Sequence, residues 1–186
     1  MRVPRWLVAT VVVVLILGGG LFVYQEFFHQ RHPVGELEVT EPLDEQGMRS
    51  VTLYFGERTA QGFVSERRII TASLHRDEEV ESVVDELLRG PKSANAVRTW
   101  PEGTALRDVF YDDDLHLLYL DFNSALVSGD TGGSAMETMT LGALLRTIAI
   151  DFPEVDAVQI LVNGLEVETL AGHIDCTKPF RPREWL

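Results

Sequence analysis

The sequence predicts an α/β domain of the α+β kind: a small antiparallel or mixed sheet with two helices packed on one face. The expected order is β-hairpin, helix, strand, strand, helix, strand, preceded by one transmembrane helix. Three observations carry this. Residues 6–24 are uncharged and mostly apolar. From Val51 the apolar residues alternate, the period of a strand, and two later stretches space them by three and four, the period of a helix. The helical stripes end at Gly90-Pro91 and at Pro153, where a helix is expected to stop.

The run from Trp6 to Tyr24 is long enough, at about 1.5 Å per residue, to cross a hydrocarbon core of about 30 Å. Arg2 and Arg5 precede it and Glu26 follows it, which predicts residues 1–5 in the cytoplasm and the rest exported. Gly18-Gly19-Gly20 offers small residues to a signal peptidase. The apolar run nevertheless continues through Leu21, Phe22, Val23 and Tyr24, which favours a retained anchor. Residues 25–49 carry Pro33, Gly35, Pro42 and Gly47 without a sustained period and read as a linker. A domain at 50–173 and a C-terminal tail at 174–186 complete the expected division.

The chain has 29 acidic against 16 basic residues, a net charge of −13. Such a surface argues against nucleic acid and anionic lipid as partners. Cys176 is the single cysteine, so an internal disulfide is excluded and the exported domain relies on its apolar core. A reactive thiol is the alternative role for that residue.

Within the domain, Val51, Leu53 and Phe55 alternate with Thr52 and Tyr54, and Gly62–Thr71 forms a second strand after a turn. Val80, Val83, Val84, Leu87 and Leu88 make one helical stripe, with Asp77, Glu78 and Glu79 at the end where acids complement the helix dipole. Leu106–Tyr111 and Leu117–Phe122 flank Asp112-Asp113-Asp114 and predict a hairpin. Leu141, Leu144, Leu145, Ile148 and Phe152 share the face of a second helix. Val155–Val162 is a buried strand, turned at Asn163-Gly164 into the short Glu166–Leu170.

Two stretches invite a catalytic reading. Gly129-Asp130-Thr131-Gly132-Gly133 differs by one residue from the nucleophile loop of trypsin-like proteases, and Ile69 to His75 is similar to the segment before their histidine. Thr131 is a poor stand-in for serine, Leu74 is an extra residue, and helical stripes fill the chain between the two where that fold needs β-barrels. Ser134-Ala135-Met136-Glu137 instead spells a capping box, in which serine and glutamate satisfy each other's backbone N–H groups at a helix start. Asp112-Asp113-Asp114 lacks the spacing of a calcium loop, and His75, His116 and His173 lack the spacing of a zinc site. No catalytic, metal-binding or cofactor-binding residue is therefore assigned.

The order of motifs resembles the GerMN domain family of sporulation and spore germination proteins. The matching pieces are Val51–Phe55, Glu86-Leu87-Leu88-Arg89-Gly90-Pro91, Pro101-Glu102-Gly103-Thr104, Leu118–Leu126, Gly132-Gly133-Ser134 with Glu137, Phe152-Pro153-Glu154-Val155, Val158–Gly164 and Gly172-His173. The resemblance implies a compact module related to ring-building domains of sporulation channels, exported, anchored in the bacterial cytoplasmic membrane through residues 6–24, and without known catalysis. The anchor, the linker and the absence of a catalytic set together predict work by contact with envelope proteins or peptidoglycan, with an oligomer allowed. One copy of the domain is present, and no lipoprotein cysteine follows the apolar run. The alternatives are an envelope hydrolase using Thr131 or Ser134, and an extracytoplasmic ligand-binding domain.

Overall fold

The computed structural model describes residues 47–59, 61–128 and 133–186, all within one compact unit, Pro42–Leu186. The expected anchor at 6–24, residues 1–5 and most of the linker lie outside the described residues. Among those described, no helix is long and apolar enough to cross a membrane.

The chain folds as a mixed α+β domain. Strand β1 (Met48–Glu57) begins inside the stretch read as linker and pairs antiparallel with β2 (Phe63–Thr71) in one unbroken register, from Met48 opposite Thr71 to Gly56 opposite Phe63. Helix α1 (Arg76–Arg89) follows, then a two-residue strand β3 (Ala96–Val97) that the sequence does not announce. Strands β4 (Leu106–Asp112) and β5 (Leu117–Phe122) form the expected hairpin, with a bulge between Leu106 and Asp108. A single turn, α2 (Ala125–Ser128), leads to the long α3 (Ser134–Asp151). Strand β6 (Ala157–Val162) lies parallel to β5, and β7 (Leu165–Glu166) returns antiparallel. Asn163 and Gly164, at φ 52° and 78°, make the tight turn between them, where left-handed backbone suits asparagine and glycine.

One sheet was expected and two are found, β2-β1-β3 and β4-β5-β6-β7. The reason lies at the strand edges. On the side of β1 away from β2, Thr52 N–H donates to both carboxylate oxygens of Asp151 (3.0 and 3.1 Å) and Tyr54 N–H to Thr147 Oγ1 (3.0 Å). On the free side of β4, Tyr111 N–H donates to Asp77 Oδ1 at 3.1 Å. Helix side chains thus supply the acceptors that a neighbouring strand would otherwise offer, so that beyond Thr52 and Tyr54 only the two-residue β3 adds to β1, at Gly56 and Glu57, and no strand of the first sheet reaches β4.

The expected single stripe on α3 is also too narrow. Leu141, Leu144, Leu145 and Ile148 are buried as predicted, but so are Glu137, Thr140, Gly142, Ala143, Thr147, Ala149 and Asp151. A helix buried on most sides is a central element of the core, covered by more than β1 alone, since the 3-10 turn at Pro182–Trp185 also packs against it. Gly142 permits close approach, since a Cβ there would clash with the Phe63 ring.

Helix α1 buries Val80, Val83, Val84 and Leu87 completely, and its end is well satisfied. Gly90, at φ 90°, returns its N–H to Leu87, while the Arg98 guanidinium donates to the carbonyls of Leu88 and Arg89 at 2.8 and 2.7 Å. Residues 174–186, read as a tail, are part of the fold. Phe180 exchanges two backbone hydrogen bonds of 2.8 Å with Val158 of β6, and a 3-10 turn at Pro182–Trp185 packs near α3.

Candidate functional site

Thr131 lies outside the described residues. Ser134 is the first residue of α3, whose cap position is Gly133, and no side chain caps that end. The capping box is therefore not formed. Glu137 faces inward, 1% exposed, where it cannot reach back to the helix start. Its carboxylate accepts from the N–H groups of Leu170, Ala171 and His173, each at 3.0 Å, with His173 Nδ1 at 3.2 Å. Burial alone would raise its pKa, but the surrounding amides, with that of Ile174 among them, outweigh burial and hold it below the usual carboxylate range. Glu137 is a tie between α3 and the 170–174 loop.

Asp151 is the opposite case. It is 8% exposed at the end of α3, and burial pushes its pKa up to about 7 despite the Thr52 amide and the Arg49 guanidinium, with Glu79 adding to the rise. Arg49 donates to the Asp151 carbonyl and pairs with Glu79 at 2.5 Å. Both acids are held by backbone N–H groups, and such groups leave little freedom for proton transfer to a substrate. Cys176 is fully buried, and burial raises its thiol to about 11, which removes nucleophilic character.

The three histidines among the described residues do not converge. His75 occupies the cap position of α1, His116 sits at the hairpin tip with Nδ1 3.0 Å from the Tyr111 hydroxyl, and His173 meets Glu137. The aspartate run is consumed locally: Asp112 accepts from the amides of Asp114 and Leu115, and Asp113 pairs with Arg76. Among the described residues no three His, Cys, Asp or Glu side chains group as metal ligands. An open polar cleft of about 340 Å³ lies beside the tip, lined by Leu74, His75, Arg76, Asp77, Tyr111 and Asp113. Arg76 stacks 4.6 Å over the Tyr111 ring and also pairs with Glu154 at 2.7 Å, so the cleft's guanidinium is already neutralised.

What remains accessible is surface. Leu74, Ile69, Leu165, Leu115 and Phe110 are more than half exposed, and among the described residues the outer edge of β2 pairs with no other strand. Sequence patterning finds the strand but not the edge, because edge status depends on which neighbours the fold supplies.

The model of the Germane family, described as sporulation and spore germination, matches residues 52–168. Among solved structures the chain is similar to a candidate lipoprotein from Clostridium perfringens, at 23% identity and a TM-score of 0.50, over 78% of this chain and 95% of that one. It is also similar to the tandem GerMN domains of the sporulation protein GerM from Bacillus subtilis, at 19% identity and a TM-score of 0.53, over 77% of this chain and 49% of the tandem. No curated protein matches in sequence. With the family model spanning the strands and helices from β1 to β7, the chain belongs to the Germane family of sporulation and spore germination domains.

Proposed function

We propose that this chain is a membrane-attached, exported module that acts by binding envelope proteins or peptidoglycan, in sporulation, germination or envelope assembly, and that it has no catalytic activity. The observation that carries this reading is the fate of the described acids and thiol. Glu137 and Asp151 are spent on backbone amides, and Cys176 is buried with its pKa raised. The uncharged run at 6–24 supports attachment, and a protein of the same fold is described as a candidate lipoprotein.

The test is retention of the full chain on purified sacculi, together with site-specific crosslinking in cells. A saturable sacculus interaction or a defined envelope partner is expected; absence of both would count against the proposal. Thr131→Ala and Ser134→Ala are expected to retain biological function, and loss of function in either soluble variant would favour a hydrolase.

A further inference from the structure

We propose that the outer edge of β2 accepts an extended, acidic segment of a partner protein as an added strand. This rests on reading the domain as a binding module and names the surface and the chemistry of what it binds. In an antiparallel pair, residues opposite one another alternate between bonding each other and pointing away. Thr52 and Tyr54 direct their N–H groups to Asp151 and Thr147, away from β2, so their partners Arg67 and Ser65 direct theirs away from β1. Ile69 and Thr71 follow by alternation. Among the described residues, these four positions of one strand therefore present backbone groups without a strand partner along one line.

The contrast with the other edges makes this informative. Proteins cover, bulge or charge their exposed edges because an open edge recruits another strand. Here β1 is closed by Asp151 and Thr147, while β4 is bulged and closed by Asp77. Strand β2 has nine residues, no proline and no bulge, and Ile69 is 64% exposed on it. Such an edge suits strand addition, where backbone bonds supply affinity and alternate side chains supply choice.

Charge selects the occupant. Arg67 is exposed at the middle of the edge, and among the described residues it has no ion-pair or hydrogen-bond partner, whereas Arg68 is committed to Glu66 and Glu86. A second copy paired through the same edge about a two-fold axis centred at residue 66, 67 or 68, the middle of the strand, would set Glu66 against Glu66, Arg67 against Arg67, or Arg68 against Arg68. Like charges directly opposite are unfavourable. An acidic side chain opposite Arg67 forms an opposite-charge pair instead.

The test uses two nine-residue probe peptides, one alternating valine with glutamate and one alternating valine with lysine, titrated against the full chain in detergent and followed by amide NMR. The glutamate probe is expected to shift the amides of Ser65, Arg67, Ile69 and Thr71 and to bind at least ten-fold tighter than the lysine probe. Arg67→Glu should reverse that order, and N-methylation of the probe on its pairing edge should weaken binding at least ten-fold. Equal binding of both probes, insensitivity to N-methylation, or shifts confined to other surfaces would overturn the proposal. A dimer in sedimentation that Arg67→Glu alters would overturn it in favour of a second copy. Crosslinks to an envelope partner from other surfaces, with β2 silent, would refute this inference and leave the binding-module function standing.

Discussion

Replacing Asp151 with asparagine isolates the least comfortable charge in the domain. The carboxylate lies at the end of α3, almost wholly buried, and its pKa rises from 3.8 to about 7 because burial outweighs the Thr52 amide and Arg49. An acid whose pKa rises on folding binds its proton more tightly in the native state. Its contribution to stability is complete below the unfolded pKa of 3.8 and is lost as pH climbs towards the folded value of about 7. At about 1.4 kcal/mol per pH unit, roughly three units correspond to a loss of about 4 kcal/mol between pH 4 and pH 8. Asparagine keeps the shape and one acceptor for Thr52 N–H but never ionises. In urea unfolding followed by fluorescence of Trp100, which is buried against Phe122, Asp151→Asn should match wild type near pH 4 and exceed it increasingly towards pH 8. Comparing the two proteins cancels the slope from other carboxylates. A difference that stays flat across this range, or a wild type more stable at pH 8, would refute the argument.

Glu137→Ala should cost about 2–4 kcal/mol, since three amides lose a charged acceptor, and hydrogen exchange should show the 170–174 loop opening first. Because folding lowers the Glu137 pKa, its contribution is complete above about pH 4.5 and is lost as pH falls through the folded value. Ser134→Ala, by contrast, should change stability by less than about 0.5 kcal/mol, because no cap bond is removed. Leu145→Asp should abolish cooperative unfolding by near-ultraviolet circular dichroism, since it places a carboxylate at a fully buried site. Cys176 should resist iodoacetamide in the native protein and react promptly in urea; fast native labelling would contradict its burial.

Much of this fold is legible in the residues. The alternation at Val51, Leu53 and Phe55 marks β1, the stripe from Val80 to Leu88 marks α1, and Asn163-Gly164 marks the last turn, because each depends on neighbours within a few positions. Glu137 shows where this fails. Its position three residues after Ser134 spells a local motif, but carboxylates satisfy whichever N–H groups are nearest in space, and those belong to residues 170–174. Asp151 and Thr147 read as ordinary polar positions of a helix, and nothing local shows that they close the edge of β1.

The sequence by itself determined the longer strands, the two long helices, their order and the family, because period, capping glycines and proline stops are properties of short stretches, whereas β3 and α2 carry no such signal. Tertiary structure alone decided that there are two sheets and not one, that α3 is buried nearly all round, that Phe180 in the 174–186 stretch bridges to β6, and that among the described residues β2 keeps an edge without a partner strand. Hydrogen-bond acceptors and burial are shared between segments about a hundred residues apart, as between Thr52 and Asp151, and only the folded chain brings those segments together.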